Sequence, residues 1–130
     1  MGWNLLSDVS SQALTGALAG SAARHRALAD NIANVDTPGF IRQDVEFEEA
    51  LGIAVERARR APQRGSDLLA LASFAPQPDR SSPARADGNN VDIDREMVAI
   101  AENALRFQSA TEALAAKVRG LRSAIRGARG

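Results

Sequence analysis

Residues 93–125 read IDREMVAIAENALRFQSATEALAAKVRGLRSAI. Apolar or small residues recur in this stretch at alternating steps of four and three positions: Ile93, Met97, Ile100, Ala104, Phe107, Thr111, Leu114, Val118, Leu121 and Ile125. An unbroken alternation of this length is typical of a helix that packs along one continuous seam. Asp92 or Asp94 stands where an N-cap is needed. The stretch therefore predicts one long C-terminal helix.

The same spacing occurs near the N-terminus, in roughly residues 8–34. The seam positions there are Leu14, Leu18, Ser21, His25, Leu28 and Ile32. The stretch contains no proline and is rich in alanine, so a second long helix is predicted. Two seams of similar length at opposite ends of one chain favour an antiparallel coiled coil. The predicted fold class is therefore mainly α.

Between the two helices the pattern changes. Asp36-Thr37-Pro38-Gly39 predicts a turn, because proline presets a negative φ and glycine accepts the positive φ that a type II turn needs next. Apolar and polar residues then alternate over 41–47, which predicts a short half-buried strand. A helix of about three turns is predicted from Phe47 to Arg60.

Residues 61–90 contain four prolines and several arginines and serines, a composition typical of a flexible linker. The chain thus divides into an N-terminal helix (1–34), a turn with a short strand and helix (35–60), a flexible Pro/Arg-rich middle (61–90) and a C-terminal helix (91–130).

Composition limits the function. The 130 residues allow one domain, and 16 Lys+Arg balance 16 Asp+Glu, so no net charge attracts the chain to nucleic acid or to an acidic membrane. No run of apolar residues is long enough to insert in a bilayer. The absence of cysteine and the presence of one histidine exclude thiolate chemistry and the usual metal sites. We expect no catalytic residue, no metal site and no cofactor.

Alanine accounts for 26 residues, and only 4% of the chain is aromatic. Alanine favours helices but buries little surface, so a hairpin of two such helices has a thin core. The pattern leaves two interpretations open: a subunit whose folding is completed by neighbours, or a small soluble bundle. His25 lies on a helical seam, where a packing role is more common than a ligand role.

Residues 28–40 read LADNIANVDTPGF, which closely resembles the N-terminal motif of the bacterial flagellar rod and hook family. Residues 89–125, which begin NNVDIDREMVAIAENALRFQ, resemble the C-terminal helix of the proximal rod members of that family. Phe40 and Phe107 stand where the family often has tyrosine. Together the two stretches cover about a third to a half of the chain.

The resemblance implies a structural subunit of the flagellar basal-body proximal rod, part of the drive shaft for motility. In that family the paired terminal helices pack against neighbouring subunits, and the motif forms the elbow between the inner helix and an extended part. The elbow residues are Asn31, Ile32, Asn34, Thr37, Pro38, Gly39 and Phe40. The residues expected on the helix seam and in assembly are Leu14, Leu18, Leu28, Ile93, Met97, Ile100, Phe107, Leu114, Val118, Leu121 and Ile125.

The resemblance also implies partners and a location. We expect contacts with other rod subunits, with further copies of the chain, and with the membrane-ring protein and its rod adaptor. Members are exported unfolded by the flagellar type III apparatus without a cleaved signal, so the expected place is the periplasmic rod of the basal body. Phe47 and Leu51 match the Phe-x-x-x-hydrophobic element that the export gate reads. The same Phe47 would alternatively serve packing.

A competing hypothesis is a cytoplasmic binding module whose coiled coil docks an amphipathic partner helix. The NIANVDTPGF motif disfavours it, since a generic coiled coil does not need such a motif. A small enzyme is disfavoured by the absence of cysteine and of a second histidine.

Overall fold

A computed structural model describes residues 8–60 and 74–130. The described elements are helix α1 (Val9–Ala33), strand β1 (Gln43–Asp44), helix α2 (Phe47–Arg60), strand β2 (Gln77–Pro78) and helix α3 (Ile93–Gly127). The mainly helical fold class is confirmed.

Both long helices begin at an aspartate. The Asp8 carboxylate accepts the backbone N–H of Ser11 at 3.1 Å at the start of α1. At the start of α3, Asp92 accepts the N–H groups of Asp94 and Arg95 at 3.0 and 3.3 Å. These bonds satisfy N–H groups that have no partner within the helix. Of the two N-cap candidates in the sequence, the structure selects Asp92.

Helices α1 and α3 run side by side in opposite directions. Three contacts fix the direction: Lys117 bonds Asp8, the Asn103 amide donates to Ser21 O at 2.8 Å, and the Asn31 amide donates to Glu96 at 3.0 Å. Residues later in α1 therefore contact residues earlier in α3. The antiparallel orientation is therefore set by polar contacts spread over the length of α1.

The seam predicted for α3 lies beside this contact and not at its centre. The buried residues of α3 are Glu96, Asn103 and Ala110, which keep the heptad spacing but are shifted around the helix from the predicted positions. The structure does not show the coiled coil that the sequence predicts. The physical reason is that Glu96 and Asn103 meet polar partners on α1 that the apolar pattern does not indicate.

Helix α2 packs on another side of α1. Phe47 lies against Ala27 and Val45, and Ala54 and Ala58 contact Val9. A Cβ atom on Gly20 would lie 2.3 Å from the Phe47 ring, so only glycine permits this approach of the ring to α1.

The extended segment is shorter than predicted, and its burial pattern differs. Only Gln43 and Asp44 form a strand, paired antiparallel with Gln77 and Pro78. Proline has no N–H to donate, so this ladder does not extend far. The predicted alternation put Ile41 on the inner face, but Arg42 is the buried residue. Of the predicted flexible middle, 61–73 lie outside the described residues.

Candidate functional site

The predicted elbow is built around Asn31, whose side chain is fully buried at the end of α1. Its amide nitrogen donates to Gln43 O at 2.8 Å and to a Glu96 carboxylate oxygen at 3.0 Å, while its carbonyl oxygen accepts the Gln43 N–H at 2.8 Å. One side chain therefore ties α1 to β1 and to the first turn of α3.

Asn34 ends α1. Its backbone N–H donates to Asp30 O at 3.0 Å and its side-chain amide donates to the same oxygen at 2.8 Å. Its side-chain oxygen accepts the Thr37 hydroxyl at 3.1 Å. These bonds satisfy carbonyl and amide groups at the point where the chain leaves the helix.

The turn follows at once. Phe40 N–H donates to Thr37 O at 3.2 Å, and Gly39 has a φ of 74°. These are the hydrogen bond and the positive φ of a type II turn with Pro38 and Gly39 at its centre. Gly39 N–H also donates to Asp87 O at 2.8 Å, which holds the turn against the segment that leads into α3.

Two asparagines from that segment close the elbow. The Asn89 amide nitrogen lies within 2.8–3.1 Å of the carbonyl oxygens of Asn34, Val35 and Thr37. The Asn90 side-chain oxygen accepts the Arg42 N–H at 2.7 Å, and its amide donates to Asp79 O at 2.8 Å. The two side chains supply hydrogen-bond partners to backbone groups that have no backbone partner in this irregular segment.

A buried ion pair lies beneath these amides. Arg42 is 1% exposed and Glu96 is 0% exposed. Arg42 Nε donates to Glu96 Oε1 at 2.6 Å, and a second guanidinium nitrogen contacts Asp79. Burial acts to lower the pKa of Arg42, but the hydrogen bond and the charge of Glu96 outweigh burial, so the pKa is raised. We call Asn31, Asn34, Arg42, Asn89, Asn90 and Glu96 the elbow cluster.

A second ionic group links α1, α2 and α3. Arg24 contacts Asp44 at 3.0 Å and Glu48 at 2.6 Å, and Arg106 contacts the same Glu48 oxygen at 2.5 Å. The Arg24 guanidinium also lies 4.8 Å from the centre of the Phe47 ring. Burial acts to raise the pKa of Glu48, but the hydrogen bond from Arg24 and the two positive charges lower it.

Of the predicted elbow residues, Asn31, Asn34, Thr37 and Gly39 take part in these bonds, and Phe40 does so through its backbone. Ile32 is half-buried and Pro38 is exposed. The sequence pattern does not predict a role at the elbow for Arg42, Asn89, Asn90 and Glu96. Charged residues are seldom fully buried, so no local signal marks Arg42 and Glu96. The adjacent asparagines before Val91 are a turn signal and are the one local feature that points to this segment.

The predicted seam residues fall into three groups by burial. Leu28 is buried, and six are half-buried: Leu14, Leu18, Ile100, Leu114, Val118 and Leu121. Four are exposed: Ile93, Met97, Phe107 and Ile125. By helical geometry these four share one flank of α3 beside the contact with α1. We call them the open flank.

The two residues of the predicted export element are covered in the folded chain. Phe47 is 3% exposed and lies edge-on to Phe74, with 6.5 Å between the ring centres. Leu51 is half-buried on α2. The folded state therefore presents neither side chain fully to a receptor.

Within residues 8–60 and 74–130, no group of three or more His, Cys, Asp or Glu side chains is placed to hold a metal ion. Across the same residues, none of the helices combines the length and the hydropathy that crossing a membrane requires. What the arrangement can do is hold helix ends, turn and strand in one rigid relation.

Comparisons with known proteins agree on one family. The family model for flagella basal body rod proteins matches residues 12–40, which end at the turn of the elbow. The chain is 35% identical over 119 residues to the flagellar basal body rod protein FlgB of Salmonella typhimurium, with 82% of this chain and 85% of that protein covered. It is 30% identical over 122 residues to FlgB of Escherichia coli K12, covering 80% and 83%. It is 29% identical over 119 residues to FlgB of Bacillus subtilis, covering 89% and 92%.

Proposed function

The chain belongs to the FlgB family of flagellar basal body rod proteins, and we propose that its two long helices, held by the elbow cluster, form one segment of the rod wall. It is a structural subunit of the flagellar basal-body proximal rod and not an enzyme. The rod is part of the drive shaft for motility, so this subunit transmits torque through its packing.

The open flank is the observation that carries the proposed packing. Its large apolar side chains are 43–55% exposed and run along α3 at the spacing of a coiled-coil seam. Exposing a row of large apolar side chains to water is energetically unfavourable. In the rod a helix of a neighbouring subunit covers it, and the predicted coiled coil is completed between subunits.

The elbow cluster has a mechanical role in this proposal. Its hydrogen bonds join α1, β1 and α3, and those around Arg42 and Glu96 are buried; a satisfied buried network resists rearrangement. The angle between the helices and the extended segment is thereby fixed. A subunit of a rotating shaft needs a fixed angle, because bending at the elbow would reduce the torque that the subunit transmits.

Export and partners follow from family membership as further parts of the proposal. The chain passes the flagellar type III apparatus unfolded, with Phe47 and Leu51 read by the export gate, and folds on assembly. The burial of Phe47 in the folded state agrees with recognition before folding. Its neighbours in the rod are other rod subunits, further copies of itself, and the membrane-ring protein with its adaptor.

The test is a strain that lacks the gene, scored for swimming and for rods in isolated basal bodies. The wild-type chain should restore both. Leu114→Asp should restore neither, because it places an unpaired charge on the half-buried seam. The matched control is Ala113→Asp, which adds the same charge at the adjacent exposed position and should restore swimming. A deletion strain that still builds rods would refute the proposed function.

A further inference from the structure

A groove lies between α1 and α3, at the middle of their contact. Its volume is about 430 Å³, and it is lined by Ser21, Ala22, His25, Arg26, Asn103, Ala104 and Phe107. Its wall on α3 includes Phe107 of the open flank, so the groove is a pocket within the surface that the proposed function requires to be covered.

Two buried polar atoms at this groove have no partner. Asn103 is 3% exposed; its amide nitrogen donates to Ser21 O, but its Oδ1 accepts no hydrogen bond from any described residue. Ser21 is 1% exposed, and its hydroxyl is also unpaired within the described part of the chain. Buried polar groups without partners are rare and unfavourable. An occupant with an apolar body and a hydrogen-bond donor would therefore match this groove.

The other side of α3 carries side chains that fit this requirement. Leu105 is 65% exposed and Val98 is 59% exposed. Leu105 is two residues from Asn103, which places it about 200° around the helix axis, away from α1. Gln108, one turn further on, donates to Glu112 at 3.0 Å, and its amide group has a second hydrogen to offer.

Charge favours a contact between these two different surfaces over a contact between two grooves. Arg26 lies at the groove and Glu102 lies one turn before Leu105; neither forms an ion pair with any described residue. Two grooves facing each other would bring two Arg26 side chains together. Leu105 facing a groove brings Glu102 towards Arg26, and opposite charges select that arrangement.

We propose that Leu105 of one copy of this chain inserts into the α1–α3 groove of a second copy. Gln108 of the first copy donates to Asn103 Oδ1 of the second, and Glu102 approaches Arg26. The proposal rests on the proposed function and names one partner of the open flank. Because the two surfaces differ, the contact is heterologous and leaves a free groove and a free Leu105 at the two ends, so copies add in a helical row.

The absence of cysteine from the chain makes site-specific cross-linking a clean test. Ala22→Cys places a thiol on the groove wall, and Ala101→Cys places one beside Leu105 without altering it. A short bis-maleimide reagent is applied to the purified full-length chain over a concentration series, and to basal bodies from complemented cells. The chain with both cysteines should give a ladder of multimers. A mixture of the two single variants should stop at dimers, and each alone should stay monomeric.

Two controls identify the surfaces. Leu105→Asp, added to the double-cysteine chain, should reduce the ladder at least tenfold, and circular dichroism should show unchanged helix content. Replacing Ala22→Cys by Glu56→Cys on α2 should give no ladder. Arg26→Glu and Glu102→Arg should each weaken cross-linking, and the two together should restore it.

Dimers from Ala22→Cys alone would show groove facing groove and would overturn the proposal. The proposal would also be overturned if the double-cysteine chain restored swimming but yielded no ladder, either in basal bodies or as purified protein. That result would leave the proposed function intact. Conversely, a ladder in the purified protein, together with a deletion strain that still builds rods, would refute the proposed function and leave the contact standing.

Discussion

Arg42 and Glu96 are charged side chains in a place where apolar residues are usual. Their ion pair is buried at 2% and 0% side-chain exposure, and taking both charges out of water costs several kcal/mol. The Asn31 and Asp79 contacts offset part of that cost. Such a pair adds little net stability, but removing one of its two members strongly destabilises the fold.

We therefore expect Arg42→Met to destabilise the assembled subunit by about 3–5 kcal/mol, because it leaves the buried Glu96 charge unpaired. Glu96→Leu should destabilise it less, because Arg42 keeps its contact with Asp79. Each should abolish swimming in the deletion strain. The double variant replaces the pair by apolar side chains and should recover much of the swimming. A double variant as defective as the singles would show that the charges themselves are needed.

Phe47 has two candidate roles, and they make different predictions. If the export gate reads its ring, Phe47→Ala should stay inside the cell, because the gate loses its aromatic anchor. If Phe47 only packs, the substitution leaves a cavity; export then continues and rod assembly suffers. We expect retention, measured as the fraction of the chain that reaches the periplasm.

Phe74→Ala is the matched control for that experiment. It removes the ring that lies edge-on to Phe47 and leaves the Phe47–Leu51 element unchanged. We expect Phe74→Ala to be exported normally. Normal periplasmic levels of Phe47→Ala would remove the export role and leave the packing role.

At the scale of elements, the docking of α2 on α1 depends on one glycine. Since a Cβ at Gly20 would lie 2.3 Å from the Phe47 ring, Gly20→Ala must displace the ring or the helix. We expect Gly20→Ala to impair swimming in the deletion strain despite the higher helix propensity of alanine.

Gly52→Ala on α2 tests whether the effect is steric. Nothing lies within 4 Å of a Cβ there, so the same substitution should stabilise α2 by about 0.5–1 kcal/mol and leave swimming intact. Equal defects in both variants would show that the close approach at Gly20 is not the cause.

The whole molecule has a small apolar core for its surface. Among the described residues the buried hydrophobic side chains are Ala27, Leu28, Val45, Phe47, Ala54, Ala58, Val91 and Ala110. Half of them are alanines, which bury little area. Large apolar side chains instead lie exposed along α3. We therefore expect such a chain to gain much of its stability only when neighbours cover that surface.

We accordingly expect the isolated dilute chain to be monomeric, with weak amide protection across 10–32 and 95–125. Hydrogen exchange followed by mass spectrometry measures this, with sedimentation establishing the monomer. The same segments should become strongly protected in isolated basal bodies. Strong protection in a proven monomer would mean that the helical hairpin is self-sufficient.

Features that depend on neighbouring residues were predictable from the sequence. The two long helices follow from spacing and alanine content, and the turn follows from Pro38 and Gly39, because each needs only a few adjacent residues. The sequence narrows the N-cap of α3 to Asp92 or Asp94, and the structure selects Asp92. The tertiary structure decided which side of α3 is buried and where Arg42 lies. Arg42 and Glu96 are 54 positions apart, and Asn31 and Glu96 are 65 apart. Burying these groups is favourable only once the fold brings each one its partner, and no local pattern records a partner that distant.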